Sequence, residues 1–284
     1  MIRHVAYAGE QSPDEIMFRI LLFKLFNRIG TWELLTRTVG PPAARTFGVE
    51  RYDCALSAAF GRGERLYSAA YIMPAASRGA PRKHRTHLDL LRSMLDDRLP
   101  EVLISAPSMK DAYLALLRYR GIGTFLAYQL VTDLNYSRVL NFSEMDFVMA
   151  GPGARSGLRK CFSDPGDYGD EDLIRYVAEH QAEEFSARGL TFEDLWGRPL
   201  QLIDCQNLFC EVDKYARVTH PEAEGIGQRT RIKQRFRPLP DPIDVWFPPK
   251  WGLNDRLPKA LSLSSPAQSV ALSDRGQQLL PSAR

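Results

Sequence analysis

Tyr119–Asp146 reads YRGIGTFLAYQLVTDLNYSRVLNFSEMD, and its spacing decides the fold. Ala112, Leu116 and Leu117 fall at helical spacing before Gly121-Ile122-Gly123, and Leu126, Leu130 and Leu134 do so after it. The stretch predicts two amphipathic helices joined by a hairpin, near residues 109–135. Two glycines permit a tight turn and a close approach of backbone to a partner. The turn also opens a helix at Thr124, so backbone N–H groups point outward there, as suits a phosphate. Gly-x-Gly alone also fits an ordinary turn between packed helices. The flanking periodicity and Asp146 beyond it favour contact with a DNA backbone through Gly121, Gly123 and Thr124.

The pattern looks like a helix-hairpin-helix, the module with which a class of DNA glycosylases grips one strand. In those enzymes an aspartate a little past the second helix serves the chemistry at the flipped nucleotide. Asn141-Phe-Ser-Glu-Met-Asp146 places Asp146 similarly. The other reading of Asp146 is a helix N-cap or a surface carboxylate. The hairpin position where bifunctional glycosylases carry a nucleophilic lysine is apolar here, near Phe125. The spacing to Asp146 is also a few residues longer than in those enzymes. Both departures argue against a lysine-based lyase.

Composition bounds the alternatives. The chain has 284 residues, 44% hydrophobic and 25% charged, enough for one large core or two subdomains. A net charge of +3 gives no overall positive field, so any basic surface is local. No apolar run reaches membrane-spanning length, and MIRHVAYAGEQSPDE lacks the apolar centre of a signal peptide. Cys54, Cys161, Cys205 and Cys210 show no CxxC spacing. They read as reduced thiols in a cytoplasmic protein, with no metal site and no cofactor.

Helix signals dominate the rest. Pro13-Asp14-Glu15 starts a helix that is apolar almost all around through Ile16–Ile29 and therefore central to the core. Its polar Asn27 and Arg28 either line a cleft or bound the helix. Further helices are expected near Arg51–Phe60, His87–Arg98, Leu158–Phe162, Asp170–Arg188 and Leu200–Val218. Leu66–Met73 fits a strand or a helix, and Gly151–Gly157 reads as a glycine-rich loop. The proline-rich stretch around Trp246, Phe247 and Trp251 predicts an irregular strap over the helical body. The domain is expected to span 1–257, with 258–284 a disordered tail.

Three constellations carry possible chemistry. Arg82, Lys83, His84 and Arg85, with Arg78, concentrate cations in a loop that can neutralise phosphates or simply lie in solvent. On a helix over 202–217, Cys205, Leu208, Phe209, Val212 and Ala216 make an apolar face. Asp204, Asn207, Glu211 and Lys214 fall on an adjoining stripe within about a quarter turn. That stripe is a pocket wall or an exposed, salt-bridged face. In Gly225–Phe236, Arg229, Arg231, Lys233 and Arg235 alternate with Thr230, Ile232 and Gln234. An extended segment would align the four cations for a nucleic-acid backbone or a pyrophosphate, or present them as a basic arm.

The blocks DEIMFRILLFKLFNRIGTWELL, LYSAAYIMP, RKHRTHLDLL, YRGIGTFLAYQLVTDLNYS, LNFSEMDFVMAGPGA, LQLIDCQNLFCEVDKYARV and RTRIKQRF resemble the α-glutamyl/putrescinyl-thymine pyrophosphorylase family. Its helical domain also carries the name 5-hydroxymethyluracil DNA kinase helical domain. The resemblance spans Ile2 to Trp251 and implies a mainly α, helix-hairpin-helix DNA glycosylase-like fold. Members often begin with a further segment before Ile2, so a short member or a late start site is expected.

The resemblance implies DNA base hypermodification. A kinase in the same pathway activates a 5-hydroxymethylpyrimidine in double-stranded DNA as a phosphate or pyrophosphate ester. The base flips out, and an amine from an amino acid or polyamine replaces the leaving group. On that reading Arg229, Arg231 and Lys233 bind the departing phosphate, and Asp146 and Glu211 orient or deprotonate the amine. Asn207 binds the pyrimidine edge, Tyr71 stacks on the base, and Asp204 and Lys214 complete the wall. The sequence lacks a Walker A lysine motif, which argues against a kinase. A DNA glycosylase and a noncatalytic DNA-binding module remain the alternatives.

Overall fold

Ten α-helices follow one another among the described residues. They are α1 (Pro13–Phe26), α2 (Ile29–Val39), α3 (Val49–Gly61), α4 (Lys83–Asp96), α5 (Leu99–Ile104), α6 (Met109–Leu117), α7 (Thr124–Asn135), α8 (Pro152–Cys161), α9 (Asp170–Ala187) and α10 (Leu202–Thr219). The structure, a computed structural model, describes residues 1–69, 73–76, 82–192, 195–223, 225 and 245–257. No β-strand occurs among them, and the fold is mainly α.

The apolar run after Pro13 is the centre of the molecule. Helix α1 is buried from Glu15 to Phe26. A helix apolar on all sides needs partners on all sides, and α4, α5 and α7 supply them. Its buried charged residues, Glu15, Arg19 and Lys24, are each satisfied. Glu15 accepts from the backbone N–H groups of Ala44 (2.8 Å) and Arg45 (3.2 Å). Arg19 donates to the carbonyls of Val5 (2.9 Å) and Glu10 (2.8 Å). Lys24 pairs with Asp133 of α7 at 2.7 Å, which fixes the hairpin's second helix to the core. The run ends earlier than its hydrophobicity predicts. Asn27 adopts a left-handed conformation (φ 47°) that closes α1, and Ile29 is 66% exposed at the start of α2. Asn27 thus bounds the helix rather than lining a cleft.

Two more boundaries differ from expectation. Helix α4 begins at Lys83, so the second half of the expected basic loop is helical. Gly151–Gly157 is not a loop, because Pro152 starts α8, and Gly153 and Gly157 lie inside that helix. They are there for close packing: a Cβ at either would overlap Cys210 or the Phe209 carbonyl on α10. Residues 66–69 and 73–76 are irregular, and Tyr71 lies outside the described residues. Residues 245–257 form the irregular strap, with single 3-10 turns at Pro249–Trp251 and Asn254–Arg256. Its Trp246 lies against Tyr7 (5.2 Å between ring centres) and its Trp251 against Tyr136 (5.4 Å).

Helix α4 carries a buried imidazole with a pH consequence. His87 is 2% exposed, with Nδ1 2.8 Å from the Tyr67 hydroxyl and Nε2 2.7 Å from the Pro74 carbonyl. A carbonyl only accepts, so Nε2 carries the proton and Nδ1 accepts from Tyr67. Burial holds the His87 pKa down at about 4. The unfolded chain takes up this proton near the ordinary value of about 6.5 and the folded chain does not. Stability from this group is therefore full above pH ~6.5 and falls as pH drops towards 4, by up to about 3 kcal/mol. Urea titrations of wild type and His87→Gln from pH 8 to 4 are expected to converge at the acid end. A constant gap would mean that His87 does not titrate with folding.

Candidate nucleic-acid interface

The hairpin is built as the glycine pattern requires. Gly121 sits at φ +92°, and a Cβ there would come within 2.6 Å of the Ala76 Cα. The turn between α6 and α7 therefore needs glycine for both conformation and space. Ile122 is buried and anchors the loop, while Gly123 and Thr124 are exposed. No side chain caps the N-terminus of α7. Nothing lies within 4 Å of where a Gly123 Cβ would stand, so this first turn faces solvent. Arg118 and Arg120 are exposed on either side of Tyr119, and neither guanidinium forms a hydrogen bond or ion pair among the described residues. These two cations directly precede the turn in the chain and were not singled out from the sequence, although Arg-Tyr-Arg is legible there.

The hairpin borders a cleft of about 620 Å³ whose lining includes Thr86 and Asp89 of α4 and Arg118, Tyr119 and Arg120. Burial and a hydrogen bond with Asp97 raise the Tyr119 hydroxyl to about 12. Of the basic group at the start of α4, Arg82 is exposed and lies 5.0 Å from the centre of the Phe60 ring. Lys83 lies 4.0 Å from the centre of the Tyr67 ring, and burial lowers its pKa. His84 is 2% exposed and joins α4 to α3 through Ser57 (2.9 Å) and Asp53 (3.2 Å). Its burial places it in the helix interface, out of reach of a phosphate.

The loop after α7 is held from several sides. Asp146 is exposed, and its Oδ2 accepts from the Met109 N–H at 3.3 Å, where it meets the positive end of α6. Arg175 of α9 donates to the carbonyls of Met145 (2.8 Å) and Asp146 (3.2 Å). Two residues earlier, Glu144 is nearly buried, 2.6 Å from Arg198 and 2.5 Å from the Trp251 indole N–H. Arg198 also pairs with Asp204 at 3.0 Å and stacks 3.7 Å from the Trp251 ring centre. Burial raises the Glu144 pKa against the pull of Arg198, and burial lowers that of Lys250 nearby. This network joins the loop, the start of α10 and the strap. Glu144, Arg198 and Trp251 are far apart in the chain, so sequence spacing gave no signal for them.

Helix α10 is rotated relative to the apolar face read from its sequence. Cys205, Phe209 and Ala216 are buried as expected, but Leu208 is 45% exposed. Gln206 and Asp213 are buried in its place, each 1% exposed. The close approach of α8 explains the rotation. Asp213 accepts from Ser156 (2.7 Å) and pairs with Lys160 (3.1 Å) and Arg217. Burial pushes the Asp213 carboxyl up, but those hydrogen bonds outweigh it and hold its pKa below the ordinary value. Asn207 and Glu211 are exposed, and Glu211 pairs with Lys214 at 2.5 Å. Asp204 caps α10 by accepting from the Gln201 N–H (2.9 Å). No hydrogen bond or ion pair among the described residues joins Asp146 to Asp204, Asn207, Glu211 or Lys214. Arg229, Arg231 and Lys233 lie outside the described residues. Those residues contain no group of His, Cys, Asp and Glu side chains able to hold a metal ion, and no helix long and apolar enough to cross a membrane.

Residues 1–225 match the family described as "5-hmdU DNA kinase, helical domain". A curated relative from Bacillus phage SP10, named 5-hmdU DNA kinase, is 24% identical over 225 residues, covering 72% of this chain and 34% of the relative. The chain thus spans about a third of the length of that protein. No solved structure matches the chain.

Proposed function

Since the chain belongs to the family of 5-hmdU DNA kinase helical domains, we propose that it engages double-stranded DNA during hypermodification of a thymine-derived base. The reaction replaces the phosphate or pyrophosphate of an activated 5-hydroxymethylpyrimidine with an amine from an amino acid or polyamine. The amine nitrogen forms a bond to the methylene carbon, the carbon–oxygen bond breaks, and the leaving group departs with the electron pair. The amine proton passes to a carboxylate or to water. A DNA-base kinase supplies the activated ester. The observation that carries the DNA contact is the hairpin: Gly121 at φ +92° turns the chain so that Gly123 and Thr124 open α7 to solvent beside Arg118 and Arg120. Asp146, on the loop bonded to the start of α6, is the carboxylate proposed to act at the extruded base.

A second reading is a noncatalytic DNA-binding module. It is favoured by Asp146 serving as a helix cap and by Glu211 being engaged with Lys214 on the solvent face. It also fits a chain that spans a third of its longer relative, where the chemistry can reside elsewhere.

The test is pyrophosphate release from duplex DNA bearing the activated base, with amines supplied. Asp146→Asn is expected to cut turnover about a hundredfold, the scale of a positioned acid–base group, with DNA affinity nearly unchanged. No release by the wild type, with DNA binding intact, selects the module reading; abasic sites would select a glycosylase.

The hairpin has its own test. Gly123 has φ −84° and open space around it, so Gly123→Val is expected to fold normally. It should weaken binding of unrelated duplexes alike, by about tenfold or more, because the branched side chain blocks phosphate approach. Unchanged affinity across a salt series would remove the hairpin from the interface.

A further inference from the structure

Helix α10 turns three large apolar side chains to solvent on one face. Its inward residues, Cys205, Gln206, Phe209, Asp213 and Ala216, are buried, and α8 and α9 pack against the helix. On the outward side Leu208, Tyr215 and Val218 are 45%, 59% and 64% exposed. Glu211 lies exposed among them and pairs with Lys214. By helix geometry these five side chains fall within about a third of the circumference, and Leu208 and Val218 stand about 15 Å apart along the axis. Folding of the single chain places nothing that the apolar members of this face need: its buried contacts are all made by the opposite side of α10.

The order of side chains along the face is its own complement. Leu208, Glu211, Lys214 and Val218 run apolar, acidic, basic, apolar. A twofold axis crossing α10 near Val212 and Asp213 sets two copies of the helix antiparallel. Leu208 then meets the partner's Val218, and Glu211 meets the partner's Lys214. Each Glu211 carboxylate keeps the Lys214 of its own chain and gains the partner's Lys214, so four charges alternate in sign around the axis. Tyr215 stands beside this charged centre and adds an aromatic ring, a residue type enriched where proteins meet. A parallel approach would set Glu211 against the partner's Glu211 and lose the match. With one acid and one base among its five residues the face carries no net charge, so it does not attract a polyanion.

We propose that this face of α10 is the contact surface of a homodimer with twofold symmetry. A single pair of helices buries less than the roughly 800 Å² per partner of a standard interface, so a dissociation constant in the micromolar range is expected. Neither the hairpin nor Asp146 takes part, so the dimer stands independently of the function proposed above.

The test is sedimentation of the whole chain, without DNA, over a concentration series from about 1 to about 100 μM, which brackets that range. The wild type is expected to pass from monomer to dimer. Val218→Asp, at an exposed position, should stay monomeric throughout with its helical circular dichroism unchanged. Glu211→Lys and Lys214→Glu should each weaken the dimer about tenfold by placing like charges around the axis. Combining the two exchanges restores the alternation of sign and should restore dimerisation. Ile29→Glu, which removes an exposed apolar side chain at the start of α2, should dimerise as the wild type does. A wild type that remains monomeric overturns the proposal. So does a dimer untouched by Val218→Asp, an equal loss in Ile29→Glu, or a double exchange no better than either single one.

Discussion

Gly157→Val is expected to lower the unfolding free energy by about 3 kcal/mol or more, a large loss for a single substitution. Gly157 lies in the middle of α8, where a Cβ would overlap the Phe209 carbonyl, carbon and Cα on α10. These are backbone atoms, so no side chain can swing aside. Relief requires α8 and α10 to separate. Separation would open the bonds from Ser156 and Lys160 to Asp213, a carboxylate that is 1% exposed. Steric and polar losses therefore add. For a chain of this size the change corresponds to a fall in Tm of roughly 6–12 °C. Thermal melts followed by circular dichroism check it. A Gly157→Val melt within about 2 °C of the wild type, roughly the shift of half a kcal/mol, would falsify the close approach of the two helices.

Arg198→Met is expected to cost about 3–5 kcal/mol at neutral pH, the scale for breaking a buried ion pair from one side. The side chains of Arg198 and Glu144 are 10% and 11% exposed. Removing the guanidinium leaves the Glu144 carboxylate among Tyr136, Trp251 and Asp204, with Lys250 as the nearest remaining cation. The methionine keeps contact with the Trp251 ring, so the loss reports charge more than volume. The sign with pH follows from Glu144. Its folded pKa is already raised by burial, and without Arg198 it rises further. The folded state then favours the protonated carboxyl, so the variant is least impaired in acid and loses stability as pH rises through that raised pKa. Chemical denaturation at pH 5 and pH 7.5 measures this directly. Adding Glu144→Gln to Arg198→Met should recover much of the loss at pH 7.5 and little at pH 5. No recovery at either pH would mean that the network is not held by the Glu144–Arg198 pair.

Local sequence carried a good part of the fold. The run after Pro13 could only be a core helix, because apolar residues cover all its sides, and α1 is buried from Glu15 to Phe26. The hairpin was legible because its two signals are local: helical spacing on each side, and glycines where the turn needs them. Gly121 at φ +92° and the open start of α7 match that pattern. The family match covers residues 1–225 and so includes both features.

Other features depended on partners that spacing does not reveal. The glycines of Gly151–Gly157 read as a loop, yet two of them lie inside α8, because close helix approach and loop flexibility call for the same residue. The polar stripe on α10 was real as a stripe. Which face went inward was set by α8, and the buried carboxylate is Asp213, paired across 57 residues with Ser156. Asp146 is singled out in the sequence by its distance from the hairpin, but its hydrogen-bond partner, the Met109 N–H, lies 37 residues away.

The sequence by itself determined the helical class, the central helix and the glycine hairpin, because backbone conformation and amphipathic period are set over one or two turns. Only the tertiary structure decided which charges are buried and with whom. Burial of Glu144, Arg198 and Asp213 follows from three-dimensional neighbours, and desolvation becomes tolerable only where opposite charges from distant segments converge.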